Sequence, residues 1–147
     1  MSDTAELRSP LNNEEWLAYH DVRRRVLFES RGIFNVYDPN HPDEFKSGNY
    51  PMILIRKGRV CGVIRVDIAG TVAVYRRVAV PEDLQRCGYG RLMLAEADAF
   101  AQQKGCNTIR SMVNPEAVGF YEKCGFARES RVETIERAVP MTKVLQH

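Results

Sequence analysis

The residues with the clearest capacity for chemistry lie where a short apolar strand gives way to a helix. Gly88 and Gly90 stand at the predicted helix start, and Arg86 and Arg91 flank them. A helix N-terminus presents unpaired N–H groups and about half a positive charge. Glycine lets an anion approach the backbone closely, and arginine adds charge-assisted hydrogen bonds. The glycines alone also suit an ordinary tight turn, but the whole segment indicates a site for a phosphate-bearing ligand.

Two common phosphate-binding motifs do not describe this segment. A P-loop requires Gly-Lys followed by Ser or Thr, a combination that the chain does not contain. A dinucleotide fingerprint requires a third glycine, and Met93 occupies that position. The anion site must therefore belong to another class of protein.

The order Gln85-x-x-Gly88-x-Gly90 resembles the Q/R-x-x-G-x-G/A pyrophosphate loop of the GNAT superfamily of acyl-CoA N-acyltransferases. The preceding residues Arg77-Val78-Ala79-Val80 are similar to the central strand of that family. The segment from Asn114 to Phe126 is similar to its N-x-x-A-x-x-F-Y-x-x-x-G-F motif. The resemblance covers about residues 51–145 and is weak before them.

This resemblance implies an α/β (α+β mixed-sheet) fold and acetyl-CoA as co-substrate. The central, mostly antiparallel sheet would splay open between two parallel strands, at about residues 72–80 and 107–113, with helices on both faces. The pantetheine arm of the coenzyme would enter the splay and pair with the backbone of Val78, Ala79 and Val80. The pyrophosphate would lie on the loop formed by Gln85, Arg86, Cys87, Gly88, Tyr89, Gly90 and Arg91. Asn114 would contact the coenzyme near its pantetheine, a role that is compatible with a helix N-cap.

The implied reaction is acetyl transfer to a primary amine by direct attack in a ternary complex. An amine resembling that of lysine, with a pKa near 10.4, needs a proton acceptor at neutral pH. The family commonly uses the tyrosine of its F-Y pair, here Tyr121, to protonate the leaving thiolate. Tyrosine has a pKa of about 10 and a thiol one of about 8.5, so donation is modestly uphill but feasible when concerted with departure. The alternative for Tyr121 is a partly buried packing residue.

The proton acceptor is left open by the sequence. Histone-type members of the family carry a glutamate six residues before the valine matched to Val80, and this chain has Val74 there. The departure counts against histone-type lysine acetylation. The remaining candidates are His41, Asp43, Glu44 and Asp67. Among them, Asp67 could instead pair with a neighbouring arginine, and His41 could simply lie in a turn bounded by prolines.

We expect the loop at residues 34–50 to form one wall of the acceptor pocket. Long loops inside small domains are often functional, and this one carries His41, Asp43 and Glu44. Asp67 and Tyr75, near strand ends, would form the opposite wall. The alternative is a surface connection with no role in binding.

The elements that position these residues can be placed by pattern. Asn12 and Glu15 form a capping box at the start of a helix over residues 13–29, in which Arg23, Arg24 and Arg25 are either a solvated face or a basic rim for an anion. Gly105 ends a second helix, and a third helix runs from Asn114 to Gly125. The predicted strands and the second helix have the following bounds: strands 7–11, 52–56, 60–68, 72–80, 108–113, 127–135 and 139–145, and helix 90–104.

Composition sets the class of protein. The 147 residues, 44% hydrophobic with net charge +2, suit a single domain over 1–147 that lacks the basic excess of a nucleic-acid coat. No apolar run approaches a membrane span, the N-terminus lacks a signal-peptide pattern, and the cysteines form no CxxC pair. We expect a cytoplasmic N-acetyltransferase without a metal, acting on a small-molecule or peptide amine and compatible with a homodimer. The alternative is a non-catalytic acyl-CoA sensor with the same fold.

Overall fold

The computed structural model describes residues 4–129 and 138–145. Within them, seven strands form one sheet: β1 Glu6–Arg8, β2 Asn49–Arg56, β3 Arg59–Ala69, β4 Val72–Ala79, β5 Thr108–Val113, β6 Ala127–Arg128 and β7 Val139–Val144. Their order across the sheet is β1-β2-β3-β4-β5-β7-β6. Every neighbouring pair is antiparallel except β4 and β5, which run parallel. The mixed, mostly antiparallel sheet predicted from the sequence is confirmed.

The parallel pair at the centre of the sheet stays together over only four positions. Pairing begins at Val72 with Thr108 and ends at Tyr75 with Ser111, although both strands continue. A β-bulge follows in β4, where Arg77 has φ 56°. A bulge bends its strand and increases the local twist. The two strands therefore part after Tyr75, as the predicted splay requires.

Helices cover both faces of the sheet. Helix α1, Asn13–Arg23, packs Tyr19 and Val22 against one face. Helix α2, Tyr89–Gln103, and helix α3, Val118–Lys123, pack on the other face. The α2 side holds the larger core because Met93, Leu94, Ala97 and Ala101 all point into it. No helix in residues 4–129 or 138–145 has both the length and the apolar character that a bilayer crossing requires.

Some element boundaries differ from the sequence prediction. The first helix does not continue to residue 29: α1 ends at Arg23, and a π-helical turn, Arg24–Phe28, follows it. Strand β1 stops at Arg8 because Pro10, just beyond it, has no N–H to donate to a ladder. The predicted strand 127–135 is seen only at Ala127–Arg128, and residues 130–137 lie outside the described part of the chain.

Candidate active site

The predicted anion loop leads into the open N-terminus of α2. Gly88 is the N-cap, with φ 90°, and within the described residues no side chain caps this end. The first helical bond runs from Leu92 N to Gly88 O, at 3.1 Å, so the N–H groups before Leu92 receive no partner from the helix. The first turn also contains no acidic residue. The positive pole of the helix is therefore available to an anion.

Several loop side chains bond within the protein and fix the shape of the loop. The Gln85 amide donates to the carbonyl of Val80 at 3.0 Å. The Tyr89 hydroxyl accepts from Arg56 at 2.9 Å. The exposed Cys87 thiol contacts the Gln85 carbonyl at 3.7 Å. These contacts brace the loop against the end of β4, next to the open helix end.

The last residues of β4 lie beside the gap in the sheet. Val78 falls in the bulge, and Ala79 pairs with Val63 of β3. In the described chain, β4 has no β5 partner beyond Tyr75. The backbone of Val78, Ala79 and Val80 thus borders an opening in the hydrogen-bond ladder, near the anion loop.

Tyr121 lies on α3 at the point where β4 and β5 part. It is 7% exposed, and its ring packs against Phe126 at 5.3 Å between centroids. Burial raises the pKa of Tyr121 to about 12, and a hydrogen bond with Ser111 partly opposes this rise. The Ser111 hydroxyl in turn donates to the Tyr75 carbonyl at 3.2 Å. Tyr121 therefore carries its proton at neutral pH and is held at the last paired position of the parallel strands.

Asn114 occupies the predicted N-cap position of the turn Pro115–Ala117, but its side chain does not cap it. With the amide turned to satisfy its neighbours, the Asn114 oxygen accepts from Arg31 Nη2 at 2.5 Å. Asn114 is therefore the N-cap residue, as the sequence indicates, but its side chain bonds the cationic Arg31 and makes no capping hydrogen bond. Contact between Asn114 and a coenzyme stays a prediction.

A cavity of about 850 Å³ lies on the α1 face of the sheet. One side is formed by residues 36–49 and the other by β3 and β4. Of the residues predicted for the acceptor pocket, four border it: His41, Asp43, Asp67 and Tyr75. Met112 of β5 also borders it, so the cavity reaches the position where the two strands part.

The structure places Glu44 differently from the expectation. Glu44 does not border the cavity and is only 2% exposed. Its Oε1 accepts from Arg23 at 2.5 Å and from Arg65 at 3.3 Å. Two buried guanidinium groups draw the carboxylate inward, so Glu44 anchors the loop behind the cavity and is not open to an acceptor.

The Tyr75 side chain also points away from the cavity. Its ring lies in the core on the α2 side, and its hydroxyl donates to Asp98 Oδ1 at 2.5 Å. Side chains alternate along a strand, so Tyr75 faces opposite to its neighbours Val74 and Arg76. Tyr75 can therefore border an acceptor only through its backbone.

The other predicted acceptor residues differ in their solvent exposure and in how strongly they are paired within the protein. The Asp67 carboxylate is held by Arg65 at 2.8 Å and Arg76 at 3.0 Å, the pairing that the sequence had offered as its alternative role. His41 and Asp43 lie exposed at the rim, where His41 Nδ1 accepts from the Asp43 N–H at 3.2 Å. His41 and Asp43 are thus more accessible than Asp67.

Sequence reasoning missed Tyr37 and three of the four arginines at the cavity, all but Arg23. Tyr37 borders it and hydrogen-bonds His20, and burial raises the pKa of Tyr37 to about 12 while lowering that of His20. Four arginines also border the cavity: Arg23, Arg65, Arg76 and Arg77. The only signal for them was the arginine run on the first helix, since pairing between distant residues leaves no local pattern.

A model of the acetyltransferase (GNAT) domain matches residues 48–128. The chain belongs to the GNAT family. The GNAT domain supports acyl-CoA-dependent acetyl transfer as its general activity. Within the described residues, no three His, Cys, Asp or Glu side chains form a group able to hold a metal ion.

Individual proteins similar to this chain are distant in sequence, and the solved structures among them are similar in fold. The Bacillus subtilis protein YyaT is 22% identical over 125 residues, 83% of this chain and 84% of YyaT. The Escherichia coli ribosomal-protein-S18-alanine N-acetyltransferase has a TM-score of 0.76 at 18% identity, covering 98% of this chain and 96% of the other. The Thermoplasma acidophilum PaiA N-acetyltransferase, solved in complex with coenzyme A, has a TM-score of 0.76 at 20% identity, covering 97% and 99%. At these identities the two solved structures show a shared fold.

Proposed function

We propose that this GNAT protein is an N-acetyltransferase that moves an acetyl group from acetyl-CoA to a primary amine by direct attack in a ternary complex. The position of Tyr121 carries the proposal: a protonated, buried hydroxyl lies where β4 and β5 part, and the cavity reaches the same place from the other face. A coenzyme and an acceptor could therefore meet at one point in the sheet.

The coenzyme would lie along the gap. Its pantetheine would pair with the backbone of Val78, Ala79 and Val80 on the side of β4 that has no β5 partner. Its pyrophosphate would bind the N–H groups at the start of α2, with Arg86 and Arg91 adding charge. The support for this placement is that both features are open and adjacent in the structure.

In the chemical step, the amine nitrogen forms a bond to the thioester carbonyl carbon, and the C–S bond breaks. A backbone N–H near Val78 stabilises the oxyanion that develops on the carbonyl oxygen. Tyr121 gives its proton to the departing thiolate. The proton lost by the amine leaves through the cavity, where the accessible His41 and Asp43 or a water molecule accept it. The Tyr121 phenolate is then reprotonated from solvent, which balances the reaction.

Amine-dependent turnover tests the proposal. Acetyl-CoA is mixed with a panel of amines and amino acids, and acetylated product is measured by mass, because the exposed Cys87 thiol also reacts with thiol reagents. We expect the Tyr121→Phe variant to lose most of kcat and to keep its affinity for acetyl-CoA. The matched control is Tyr50→Phe, whose ring packs against Phe100 away from the gap.

Two outcomes would contradict the proposal. Binding of acetyl-CoA by calorimetry without acetylation of any amine would favour the sensor function. Wild-type kcat in the Tyr121→Phe variant, under conditions where chemistry limits the rate, would reduce Tyr121 to a packing residue.

A further inference from the structure

Four arginines converge on the cavity from three separate elements, and we call them the basic wall: Arg23, Arg65, Arg76 and Arg77. Arg23 comes from α1, Arg65 from β3, and the other two from β4. Arg23 and Arg65 are only 4% and 5% exposed. Burying guanidinium groups is costly unless carboxylates or a ligand compensate their charge.

Carboxylates of the described residues compensate only part of this charge. Glu44 binds Arg23 and Arg65, and Asp67 binds Arg65 and Arg76. Four guanidinium groups facing two carboxylates leave an excess of two positive charges in the basic wall. Across the cavity, the 34–50 loop carries Asp38 and Asp43 together with Lys46. The cavity therefore has a strongly positive side and a mixed, partly acidic side.

Arg77 is the member of the basic wall without a carboxylate among the described residues. Its guanidinium lies over the Phe28 ring at 5.4 Å. Arg77 is exposed to solvent, but partial desolvation still lowers its pKa, and repulsion from Arg23, Arg65 and Arg76 lowers it further. An anion bound at Arg77 would offset the repulsion from the other three arginines.

The bulge in β4 accounts for the position of Arg77. Strict alternation would turn Arg77 away from the cavity, onto the same face as Tyr75. The bulge instead keeps both Arg76 and Arg77 on the cavity side, with Arg77 in a left-handed conformation that costs a non-glycine residue about 1–2 kcal/mol. Backbone strain of this kind persists where the surrounding structure enforces it, commonly at ligand sites.

We propose that the basic wall binds a carboxylate of the acceptor, so that the acceptor is a small amino acid and not a polyamine. The inference rests on the proposed function, since it names the amine. Arginine suits carboxylates because its planar fork matches two oxygens at once. Arg77 lies two residues beyond Tyr75, about 7 Å along the strand, so a carboxylate held there keeps the amine of a small amino acid close to the gap. Asp38 and Asp43 lie on the side that would favour the ammonium group.

The experiment compares acceptors that differ only in the carboxylate. Each α-amino acid, and β-alanine, is assayed against its own amide, with spermidine as the polyamine. We expect kcat/KM for the preferred amino acid to exceed that for its amide by about 10- to 100-fold, the range of one charge-assisted hydrogen bond. Arg77→Gln should remove this preference, and Arg77→Lys should restore part of it. The control is Arg24→Gln, an exposed arginine that pairs with Asp21 outside the cavity and should keep the preference.

A second measurement does not depend on turnover. Calorimetry compares the binding of N-acetyl amino acids with that of their amides, in the wild type and in Arg77→Gln. Tighter binding of the acid forms, lost in Arg77→Gln, supports the inference even if no amine is acetylated. Equal binding of acids and amides, or equal turnover of both, overturns the inference. Equal turnover would leave the proposed N-acetyltransferase function standing.

Discussion

Replacing Glu44 by glutamine tests whether the buried anchor behind the cavity holds the fold together. The side chains of Glu44, Arg23 and Arg65 are 1%, 5% and 6% exposed. Glutamine keeps the size of the side chain but removes the charge. Arg65 retains Asp67 as a partner, whereas Arg23 loses the only carboxylate that pairs with it among the described residues.

The expected cost follows from this geometry. Removing one partner of a buried ion pair costs about 3–5 kcal/mol. Glu44 Oε2 and Arg23 Nε have no hydrogen-bond partner in the described residues, so the pair is incompletely satisfied and the lower end applies. About 3 kcal/mol corresponds to a fall in Tm of roughly 6–12 °C for a chain of this size.

Thermal unfolding followed by circular dichroism at pH 7 measures this change. The control is Asp43→Asn, the preceding residue in the same turn, whose side chain is 53% exposed and whose loss should cost less than about 0.5 kcal/mol. If Glu44→Gln shifts Tm no more than Asp43→Asn does, the buried pair does not stabilise the fold as argued. A large loss of kcat/KM with an unchanged Tm would return Glu44 to the acceptor site.

Three further predictions concern the coenzyme loop and Tyr121. Gly88 and Gly105 both have a φ of 90°, and a Cβ added at either position would meet no atom within 4 Å. Gly88→Ala and Gly105→Ala should therefore lower Tm by similar amounts. Only Gly88→Ala should weaken acetyl-CoA binding measured by calorimetry. The pKa of Tyr121 rises from about 10 in the unfolded chain to about 12 in the folded protein. The free energy of unfolding that its buried protonated form contributes is therefore present below about pH 10 and is lost between about pH 10 and 12. Urea unfolding should show a smaller loss of stability over that pH range in Tyr121→Phe than in the wild type. Ser111→Ala removes the hydrogen bond that lowers the pKa of Tyr121, so kcat should fall, though less than in Tyr121→Phe, and an unchanged kcat would exclude a positioning role for Ser111.

The sequence predicted those parts of the molecule that depend on local signals. Glycine and capping patterns placed α2 within one residue at each end and β5 at its observed bounds. The family motifs predicted the parallel pair and its splay, because the two segments carry the pattern of the whole sheet. The loop at 85–91 likewise lies at an open helix end, as expected from its glycines.

The cavity could not be predicted in the same way. Glu44 bonds Arg23 and Arg65, which lie 21 residues before and 21 residues after it in the sequence. No local sequence pattern predicts a contact over that separation. Arg77 faces the cavity because of a bulge, which breaks the alternation on which strand prediction depends. Asn114 is a residue type typical of helix caps, but its side-chain oxygen instead accepts a hydrogen bond from Arg31, in a distant segment of the chain.

The length of the π-helical turn Arg24–Phe28 is a feature through which evolution can change the lining of this cavity. A π turn holds one residue more than the α-helical turn it replaces, so deletion of a single residue there would restore regular helix. Each residue advances an α-helix by about 100°, and the side chains after the deletion would rotate by that amount. Phe28, which now lies over Arg77, would give up its place to a neighbour. One-residue changes in length at this turn would therefore change which side chain packs on Arg77 at the cavity.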